Sequence, residues 1–360
     1  MSRIAVDGSG LARPRAGVGV YTREVLRAMA SVRRADFLVY APPGTPPPID
    51  GGAVLTPPAA RLLGRHLLWP RRLRRSGAAC FFGCAGQLPL GGVGMPSVVT
   101  AHDLAIYRHP EWFPSGQWLS VRHVVPRSMR RAGVVACVSA STARDVAELF
   151  DVSRERLRVV HLGVDPVFAP QPPERIRELR ARLHLPDRFV LFLSTIEPRK
   201  NLPTLFDAWA RLRDRPPLVV AGAVGWRADD VVARLERAGS DVLRLGSVPF
   251  SDLPALCSAA ACLAHPAWYE GFGLPPLEAM ACGTPVVASD RSSLPEVLGD
   301  AALLVDPADV EGWSSALGRV LEDEALRATL VDRGRRRAAE LTWARTAAGT
   351  WQAIDDAAAR

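Results

Sequence analysis

Lysine is almost absent from this sequence of 360 residues: lysine and arginine together number 45, yet Lys200 is the single lysine. Tyrosine is also scarce, with four residues. A short-chain dehydrogenase or epimerase needs Tyr-x-x-x-Lys, and no tyrosine stands four residues before Lys200, which excludes that class. No Gly-Lys-Ser/Thr triplet is present, which excludes a P-loop enzyme. Gly17 and Gly19 do not directly follow a strand and no third glycine completes the pattern, so a dinucleotide fingerprint is lacking too.

Long hydrophobic runs are missing as well. No window approaches the roughly 18 unbroken apolar residues of a membrane-spanning helix, and the first residues lack the basic and apolar regions of a signal peptide. We therefore expect a cytoplasmic protein. The six cysteines are scattered, and Cys80-Phe-Phe-Gly-Cys84 has no second Cys or His pair nearby to complete a zinc site. Because no Asp-x-Asp metal motif stands out either, the sequence predicts buried thiols, no metal and no other cofactor.

The net charge of +8 is carried almost wholly by arginine. Such a balance favours partners that carry phosphates, such as nucleotides or anionic lipid surfaces. Nucleic acid is not indicated, because the arginines are dispersed and no reader motif appears. In the basic stretch Arg61–Arg75, leucines and a tryptophan alternate with the arginines. Two interpretations stay open for it: a peripheral contact with an anionic membrane at the inner membrane face, or a surface helix with its apolar face on the core, interrupted at Pro70.

Short apolar strands alternate with helical patterns along the whole chain, which predicts parallel sheets with helices on both faces. The proline-rich run after Asp165 looks like a linker. We therefore predict an α/β protein with two Rossmann-like, doubly wound domains, residues 1–168 and 169–342, that face each other across a cleft. The predicted strands are 3–7, 37–40, 97–100, 134–138 and 157–162 in the first domain and 189–194, 218–221, 242–245, 262–265, 285–288 and 301–304 in the second.

The segment Tyr269–Met280 carries the strongest local signal for a binding site. Glu270 and Glu278 are separated by a glycine-containing turn and two prolines, and proline is favoured at a helix start. We expect Glu270 on the loop and Glu278 in the first helical turn, with loop amides that can hold an anion or hydroxyls. Those amides belong to Gly271, Phe272, Gly273 and Leu274. Two carboxylates there suit sugar or ribose hydroxyls, whereas the simpler interpretation has Glu278 interacting only with its helix dipole.

This segment resembles the E-x7-E motif of retaining glycosyltransferase family 4, whose members have the GT-B fold. The continuation 281–296 and the segment Thr195-Ile-Glu-Pro-Arg-Lys-Asn-Leu202 are similar to the same family. The resemblance covers nearly the whole chain, with several motifs in order. It implies a metal-independent hexosyltransferase that moves a sugar from a nucleotide-sugar donor with retention of configuration. It also implies a first domain that binds the acceptor, a second that binds the donor, and a last helix, 343–360, that packs back on the first domain.

The resemblance also assigns roles in the second domain. Arg199 and Lys200 would bind the donor diphosphate, where two cations neutralise the charge of the departing nucleoside diphosphate; without the resemblance they would be a solvated basic turn. Glu270 would contact the transferred sugar and Glu278 the ribose. The donor base would be contacted near Gly246–Val248, with Val248 as the candidate residue.

In the first domain, Gly17 and Gly19 resemble the family's N-terminal glycine loop, whose amides approach the diphosphate. His102, just beyond a predicted strand, matches the family's histidine next to the donor sugar. The alternative is a structural pair of His102 and Asp103, hydrogen-bonded to the backbone.

The Glu-Pro-Arg-Lys-Asn and Ser-Leu-Pro-Glu segments resemble mannosyltransferases of polysaccharide and lipopolysaccharide assembly. That favours transfer of mannose from GDP-mannose to a saccharide or lipid-linked acceptor. UDP- and dTDP-sugars remain alternatives, as does a catalytically inactive scaffold that binds a nucleotide-sugar.

Overall fold

A computed structural model describes residues 3–12, 17–49, 53–56, 66, 68–114, 116 and 119–360. The chain divides into two compact units. The first comprises residues 1–108, 115–163 and 343–360, and the second comprises 109–114 and 164–342. The division therefore falls between Gly163 and Val164, earlier than the boundary at residue 168 that the sequence suggested, and His109–Pro114 is counted with the second unit. There the Trp226 indole donates a 2.7 Å hydrogen bond to the carbonyl of Trp112.

The first unit is built on a parallel sheet with the strand order β3-β2-β1-β4-β5-β6-β7. Its strands are β1 (Arg3–Asp7), β2 (Asp36–Tyr40), β3 (Ala53–Leu55), β4 (Cys80–Gly83), β5 (Ser97–Ala101), β6 (Val134–Cys137) and β7 (Leu157–Val159). Every residue of β4, β5 and β6 is buried, as expected for strands covered on both faces. The sequence prediction missed β3 and β4. Cys80 lies in β4 and Cys84 follows it, and all six cysteines are free and buried, which confirms the prediction of buried thiols.

Helices cover this sheet. They are α1 (Gly17–Val32), α2 (Trp69–Arg74), α3 (Ala105–Arg108), α4 (Val125–Arg131) and α5 (Ala140–Phe150). Helix α1 buries Tyr21, Val25, Leu26 and Met29, which recur with helical spacing. Gly17 and Gly19 form the first turn of α1 itself, so the prediction that they precede the helix as a loop was wrong.

The second unit has the strand order β10-β9-β8-β11-β12-β13, again parallel. Its strands are β8 (Val190–Leu193), β9 (Leu218–Ala221), β10 (Val242–Gly246), β11 (Cys262–His265), β12 (Val286–Ser289) and β13 (Leu303–Val305). Its helices are α6 (Pro173–Leu183), α7 (Leu202–Ala210), α8 (Asp229–Arg237), α9 (Leu253–Ala259), α10 (Leu274–Ala281), α11 (Leu294–Leu298), α12 (Val310–Glu322) and α13 (Glu324–Glu340). All six predicted strands of this half are present, with small shifts at their ends. The predicted α/β class with two Rossmann-like units is confirmed.

The C-terminal helix α14 (Trp343–Ala358) belongs to the first unit. The Trp351 indole donates to the carbonyl of Met29 in α1 at 3.1 Å, and its ring lies 5.9 Å from that of Phe37. At the surface, Arg33 pairs with Asp355 at 2.9 Å. An indole buried against two elements makes this return of the chain a stable part of the first unit. Within the described residues, no helix is long and apolar enough to cross a membrane.

In each sheet the strand order reverses at one strand. In the second unit, β8 lies between β9 and β11, so the loops that follow β8 and β11 emerge side by side at the carboxyl edge of the sheet. Such a switch point is where open α/β sheets bind ligands. The two loops, residues 194–201 and 266–273, carry the motifs that the sequence singled out.

Candidate active site

The loop after β8 presents two cations from a single tight turn. Pro198–Lys200 form a 3-10 turn with proline in its first positions, as its fixed φ and missing N–H favour. The turn ends at Asn201, whose φ of 54° is left-handed, a conformation that asparagine tolerates better than most residues. The Asn201 side chain donates to the carbonyls of Pro266 at 3.1 Å and Pro307 at 2.8 Å. These bonds attach the β8 loop to the loops that follow β11 and β13.

Two serines hold the backbone of the β11 loop. The amide of Glu270 donates to Ser292 Oγ at 2.8 Å, and Ser293 Oγ donates to the carbonyls of Glu270 and Phe272 at 3.0 and 2.9 Å. Gly273 ends the loop with a φ of +104°, and a Cβ there would lie 2.7 Å from Leu294 Cδ2. The positive φ favours glycine at this position, and a Cβ there would also require the Leu294 side chain to shift.

These loops bring four charged side chains together. Lys200 Nζ lies 2.5 Å from Glu270 Oε1, and Arg199 Nη1 lies 3.1 Å from Glu270 Oε2. Arg199 Nε in turn lies 2.5 Å from Glu197 Oε1. Lys200, Glu197 and Glu270 are all buried. A buried ion cluster is stable only when each charge has a partner, and here two carboxylates balance two cations.

The pKa values of the cluster follow from burial and from these neighbours. Burial raises the pKa of Glu270, but the charges of Lys200 and Arg199 and a hydrogen bond from His265 outweigh it and hold that pKa well below the usual range. Burial lowers the pKa of Lys200, and the Arg199 charge adds to this, while the Glu270 charge opposes it. Glu270 is therefore ionised, and its oxygens occupy the positions around the two cations where a bound anion would compete.

His265, the last residue of β11, is a member of this cluster that the sequence analysis missed. Its Nε2 lies 2.7 Å from Glu270 Oε1, and the residue is 1% exposed. Burial, opposed by Glu270 but helped by the Lys200 and Arg199 charges, lowers the pKa of His265. The only available signal was its position at the end of a predicted strand five residues before Glu270. The two serines were missed because their partners, Glu270 and Phe272, lie on another loop. Glu197 was missed although its partner Arg199 lies in the same loop, because the sequence of a short turn does not show which side chains pair.

Glu278 lies apart from the ion cluster. Helix α10 begins at Leu274, so Glu278 stands in its second turn, and the prediction of the first turn was wrong. The dipole interpretation loses its support, because that effect is confined to the terminal turn. Its half-buried carboxyl has no hydrogen-bond partner among the described residues. Burial, followed by the charge of Asp165, raises its pKa from 4.5 to about 8. Such a carboxyl is available to accept hydrogen bonds from a ligand.

The other predicted donor contacts of the second unit lie on two separate loops. Gly271 and Phe272 are buried in the β11 loop, and Leu274 opens α10. Val248 lies farther away in sequence, in the loop after β10, which is the edge strand of this sheet, and is half-buried. The structure thus brings Arg199, Lys200 and Glu270 into direct contact, with Val248 on a separate loop.

In the first unit, His102 follows β5 and is held by the backbone. Its Nε2 lies 2.6 Å from the carbonyl oxygen of Cys84, which assigns the ring proton to Nε2. The Tyr21 ring packs edge-on against the imidazole, with centroids 4.7 Å apart, and the Tyr21 hydroxyl bonds Thr100 at 2.9 Å. Burial lowers the pKa of His102. This arrangement fixes a neutral ring in one orientation.

Asp103 accepts from the amide of Ala105 at 2.8 Å and so helps to start helix α3. Both members of the His102–Asp103 pair therefore bond to the backbone, as the structural alternative requires. Nδ1 of His102 has no hydrogen-bond partner in the described part of the chain, which leaves one ring nitrogen for a ligand. Both interpretations of His102 remain compatible with this geometry.

The basic stretch is described only in part, since Arg61–Arg65 lie outside the described residues. Within α2 and its C-cap, Arg71, Arg72, Arg74 and Arg75 are exposed, while Trp69 and Leu73 are buried. Leu68 is 44% exposed. This part is a surface helix with a basic outer face, a feature common to both interpretations of the stretch. Across the ranges the structure describes, no three His, Cys, Asp or Glu side chains lie together as metal ligands.

Comparisons with known proteins match both halves of the chain to glycosyltransferases. Residues 176–337 match the family described as Glycosyl transferases group 1, and residues 15–168 match that described as Glycosyltransferase Family 4. O-antigen chain mannosyltransferase B of Escherichia coli is 35% identical over 255 residues, 69% of this chain and 67% of that protein. Serotype-specific mannosyltransferase WbdA of Escherichia coli is 32% identical over 274 residues, 72% of this chain but 33%, or about a third, of WbdA. Among solved structures, sucrose-phosphate synthase (tll1590) from Thermosynechococcus elongatus matches over 98% of each chain with a TM-score of 0.78 at 22% identity.

Proposed function

Since this chain belongs to the group 1, family 4 glycosyltransferases of GT-B fold, we propose that it transfers a hexose from a nucleotide-sugar with retention of configuration and without a metal ion. The observation that carries the proposal is the pairing of Arg199 and Lys200 with Glu270 at the switch point of the second sheet. A buried lysine and a half-buried arginine at such an edge suit a diphosphate.

In the proposed reaction, the diphosphate of the donor draws Arg199 and Lys200 away from the Glu270 carboxylate. Arg199 and Lys200 then neutralise the negative charge that grows on the departing nucleoside diphosphate, while the sugar gains oxocarbenium character. In other enzymes a metal ion supplies this stabilisation, so the chain's own cations make a metal unnecessary. Glu270 positions the sugar through its hydroxyls, and the family resemblance implies that the leaving phosphate helps to deprotonate the acceptor on the same face.

Glu278 is proposed to accept hydrogen bonds from the ribose hydroxyls. Its half-buried carboxyl has no hydrogen-bond partner among the described residues and carries a pKa of about 8. Hydroxyl donors would stabilise its ionised form, because hydrogen bonds to a charged group lower the pKa of that group. The amides of Gly271–Leu274 and of the first turn of α1, with Gly17 and Gly19, are proposed as further diphosphate contacts, and Val248 as a contact to the base.

For the donor we propose GDP-mannose, because the two relatives from Escherichia coli described above are named mannosyltransferases and are 35% and 32% identical. The words 'O-antigen chain' in the first name favour a saccharide acceptor in cell-surface polysaccharide assembly, and a lipid-linked acceptor is proposed from the family resemblance. UDP- and dTDP-sugars with the same site are the alternative, and a nucleotide-sugar-binding scaffold without turnover is the second alternative. The proposed location is the cytoplasm.

A contact of the basic stretch with the inner membrane face is part of the proposal. The exposed arginines of α2 and the half-exposed Leu68 support it, since basic and apolar side chains together favour an anionic lipid surface. Sedimentation with vesicles of phosphatidylglycerol and phosphatidylcholine tests it. Protein that stays in the supernatant at low salt would leave the surface helix as the interpretation.

The experiment that tests the donor site is calorimetry of GDP, UDP, dTDP and ADP with wild type and Lys200→Ala, once in chelator and once in Mg²⁺. We expect GDP to bind tightest, with equal affinity in both buffers, and the substitution to weaken it about 10²-fold, because a charge-assisted phosphate contact is lost. A folded wild type that binds none of the four nucleotides would refute the donor site. A nucleotide that binds without transfer to any acceptor would favour the scaffold.

The stereochemical outcome is tested on the product of GDP-mannose transfer. Proton NMR of the new linkage is expected to show the same anomeric configuration as the donor, and inversion would refute the proposed retaining mechanism.

A further inference from the structure

In the second unit, three side chains donate hydrogen bonds to the two carboxylate oxygens of Glu270. Lys200 Nζ and His265 Nε2 both reach Glu270 Oε1, at 2.5 and 2.7 Å, and Arg199 reaches Oε2 at 3.1 Å. Two of these side chains, Lys200 and Arg199, are cations, and the proposed function gives them a second task, which is to bind the diphosphate of the nucleotide-sugar. The third is a neutral ring that has no such task.

We propose that His265 is a positioning residue that keeps the Glu270 carboxylate in its place when a nucleoside diphosphate draws Lys200 and Arg199 away from it. The inference rests on the proposed function for the identity of that ligand. His265 acts through Glu270 and does not touch the substrate.

The location of His265 suits this role. It ends β11, the strand beside β8 at the switch point, and its backbone is in register with Ala288 of β12. At 1% exposure the ring is buried more completely than Lys200 or Glu270, which are 6% and 7% exposed. Its Nε2 donates to an oxygen that Lys200 shares, so loss of the Lys200 bond leaves that oxygen with one donor instead of none.

The chemistry of the ring points the same way. A carboxylate can only accept, so the proton must reside on Nε2 and the neutral tautomer is set. The charges that face the ring are those of Glu270, Lys200 and Arg199; burial is the largest influence and lowers the pKa of His265. Nδ1 is buried and has no hydrogen-bond partner in the described ranges. A second proton on Nδ1 would therefore lie unpaired beside two cations, which keeps the ring neutral near pH 7.

A neutral donor differs from a cation in one respect that matters here. A diphosphate attracts Lys200 and Arg199 directly, but it exerts no comparable pull on an uncharged imidazole behind Glu270. Without His265, Glu270 Oε1 would be released when Lys200 turns to the phosphate, and the carboxylate would lose its orientation toward the sugar hydroxyls. A misplaced positioning group costs reaction rate more than donor affinity.

The first test needs no substrate. Nitrogen-15 NMR of the His265 ring, assigned with a His265→Gln variant, is expected to show the Nε2–H neutral tautomer from pH 8 down to about pH 6. A ring protonated on Nδ1, or a cationic ring at pH 7, would overturn the inference whether or not the protein binds any nucleotide.

The second test separates positioning from folding. His265→Leu fills the space but cannot donate, whereas His265→Gln retains a donor at nearly the same reach. With GDP-mannose as the donor, we expect His265→Leu to lower kcat 10- to 100-fold, with GDP affinity by calorimetry within about twofold of wild type, and His265→Gln to recover most of the loss. Equal kcat in wild type and His265→Leu, or an equal fall in both variants, would overturn the role. Absence of nucleotide binding in wild type would instead refute the proposed function, and the tautomer measurement would still decide the inference.

Discussion

The two units share a doubly wound sheet but present different chemistry at its carboxyl edge. In the second unit, Arg199, Lys200 and Glu270 form a buried ion cluster with paired charges. In the first unit, His102 is held by a backbone carbonyl and packs against Tyr21, and among the described residues its ring makes no ion pair. Charge suits a diphosphate, whereas a neutral, oriented imidazole suits a hydroxyl. The two units thus have the same kind of fold, and the residues in the loops after particular strands determine what each unit can bind.

Among these substitutions, removal of the Glu270 charge should lower the rate of sugar transfer the most. Glu270→Gln keeps the shape but removes the charge that balances Lys200 and Arg199, so we expect transfer from GDP-mannose to fall about 10³-fold. The free energy of unfolding should also fall by about 3 to 5 kcal/mol, since the buried Lys200 loses its charged partner and Arg199 keeps only Glu197. Initial rates and urea unfolding measure the two effects. Glu322→Gln, at an exposed position in α12, is the matched control, and a wild-type rate in Glu270→Gln would break the contrast between the units.

His102→Ala tests the first unit. If His102 contacts the donor sugar, kcat should fall about 10²-fold while GDP affinity by calorimetry stays unchanged, because the cations of the second unit are intact. His184→Asn, at an exposed left-handed helix cap that asparagine tolerates, is the control. A normal kcat in a folded His102→Ala protein would favour the structural interpretation of the His102–Asp103 pair.

Glu278→Gln should have a smaller effect with a distinctive pH dependence. Its pKa of about 8 in the folded state exceeds the usual 4.5, so its contribution to stability is fully present below pH 4.5 and is lost progressively up to about pH 8. The glutamine variant lacks that loss and should gain stability over wild type from pH 5 to 8, with no further gain above. At the same time, GDP affinity at pH 8 should fall about 10-fold, because an ionised acceptor for hydroxyls is gone.

Urea unfolding at each pH and calorimetry at pH 8 provide the two measurements. A stability difference that does not change between pH 5 and 8 would show that Glu278 titrates normally and would remove the contrast with Glu270, whose pKa is held low.

The smallest expected effect belongs to the basic face of α2. Arg72→Gln removes one exposed charge, and its affinity for phosphatidylglycerol vesicles should fall about fivefold at low salt, since one cation near an anionic surface contributes about 1 kcal/mol. Arg213→Gln in the second unit should leave vesicle affinity unchanged. Equal losses in the two variants would mean that net charge alone, and not α2, attracts the protein to lipid.

Some of the candidate site could be read from local sequence, and some could not. The Glu-Pro-Arg-Lys-Asn turn and the two glutamates stand in short segments whose residue types show their chemistry. Ser293 carries no such signal, because its partners come from another loop. His265 and Glu197 carry none either, because their contacts with Glu270 and Arg199 depend on how the two turns fold. Strand β4 was missed because its short Cys-Phe-Phe-Gly run between glycine-rich loops resembles a cysteine motif as much as a buried strand.

The sequence by itself determined the alternation of strands and helices, the division into two units, the six buried thiols and the family, since all of these depend on local periodicity and motif order. Only the tertiary structure decided that Lys200 and Glu270, which are 70 residues apart, form an ion pair, and that His265 hydrogen-bonds the same carboxylate. The physical reason is strand order. The sheet places β8 beside β11 although two strands, β9 and β10, lie between them in the chain. No local pattern encodes which parallel strands become neighbours. Burial, which raises the pKa of Glu278 while the nearby cations hold that of Glu270 low, likewise exists only in the folded chain.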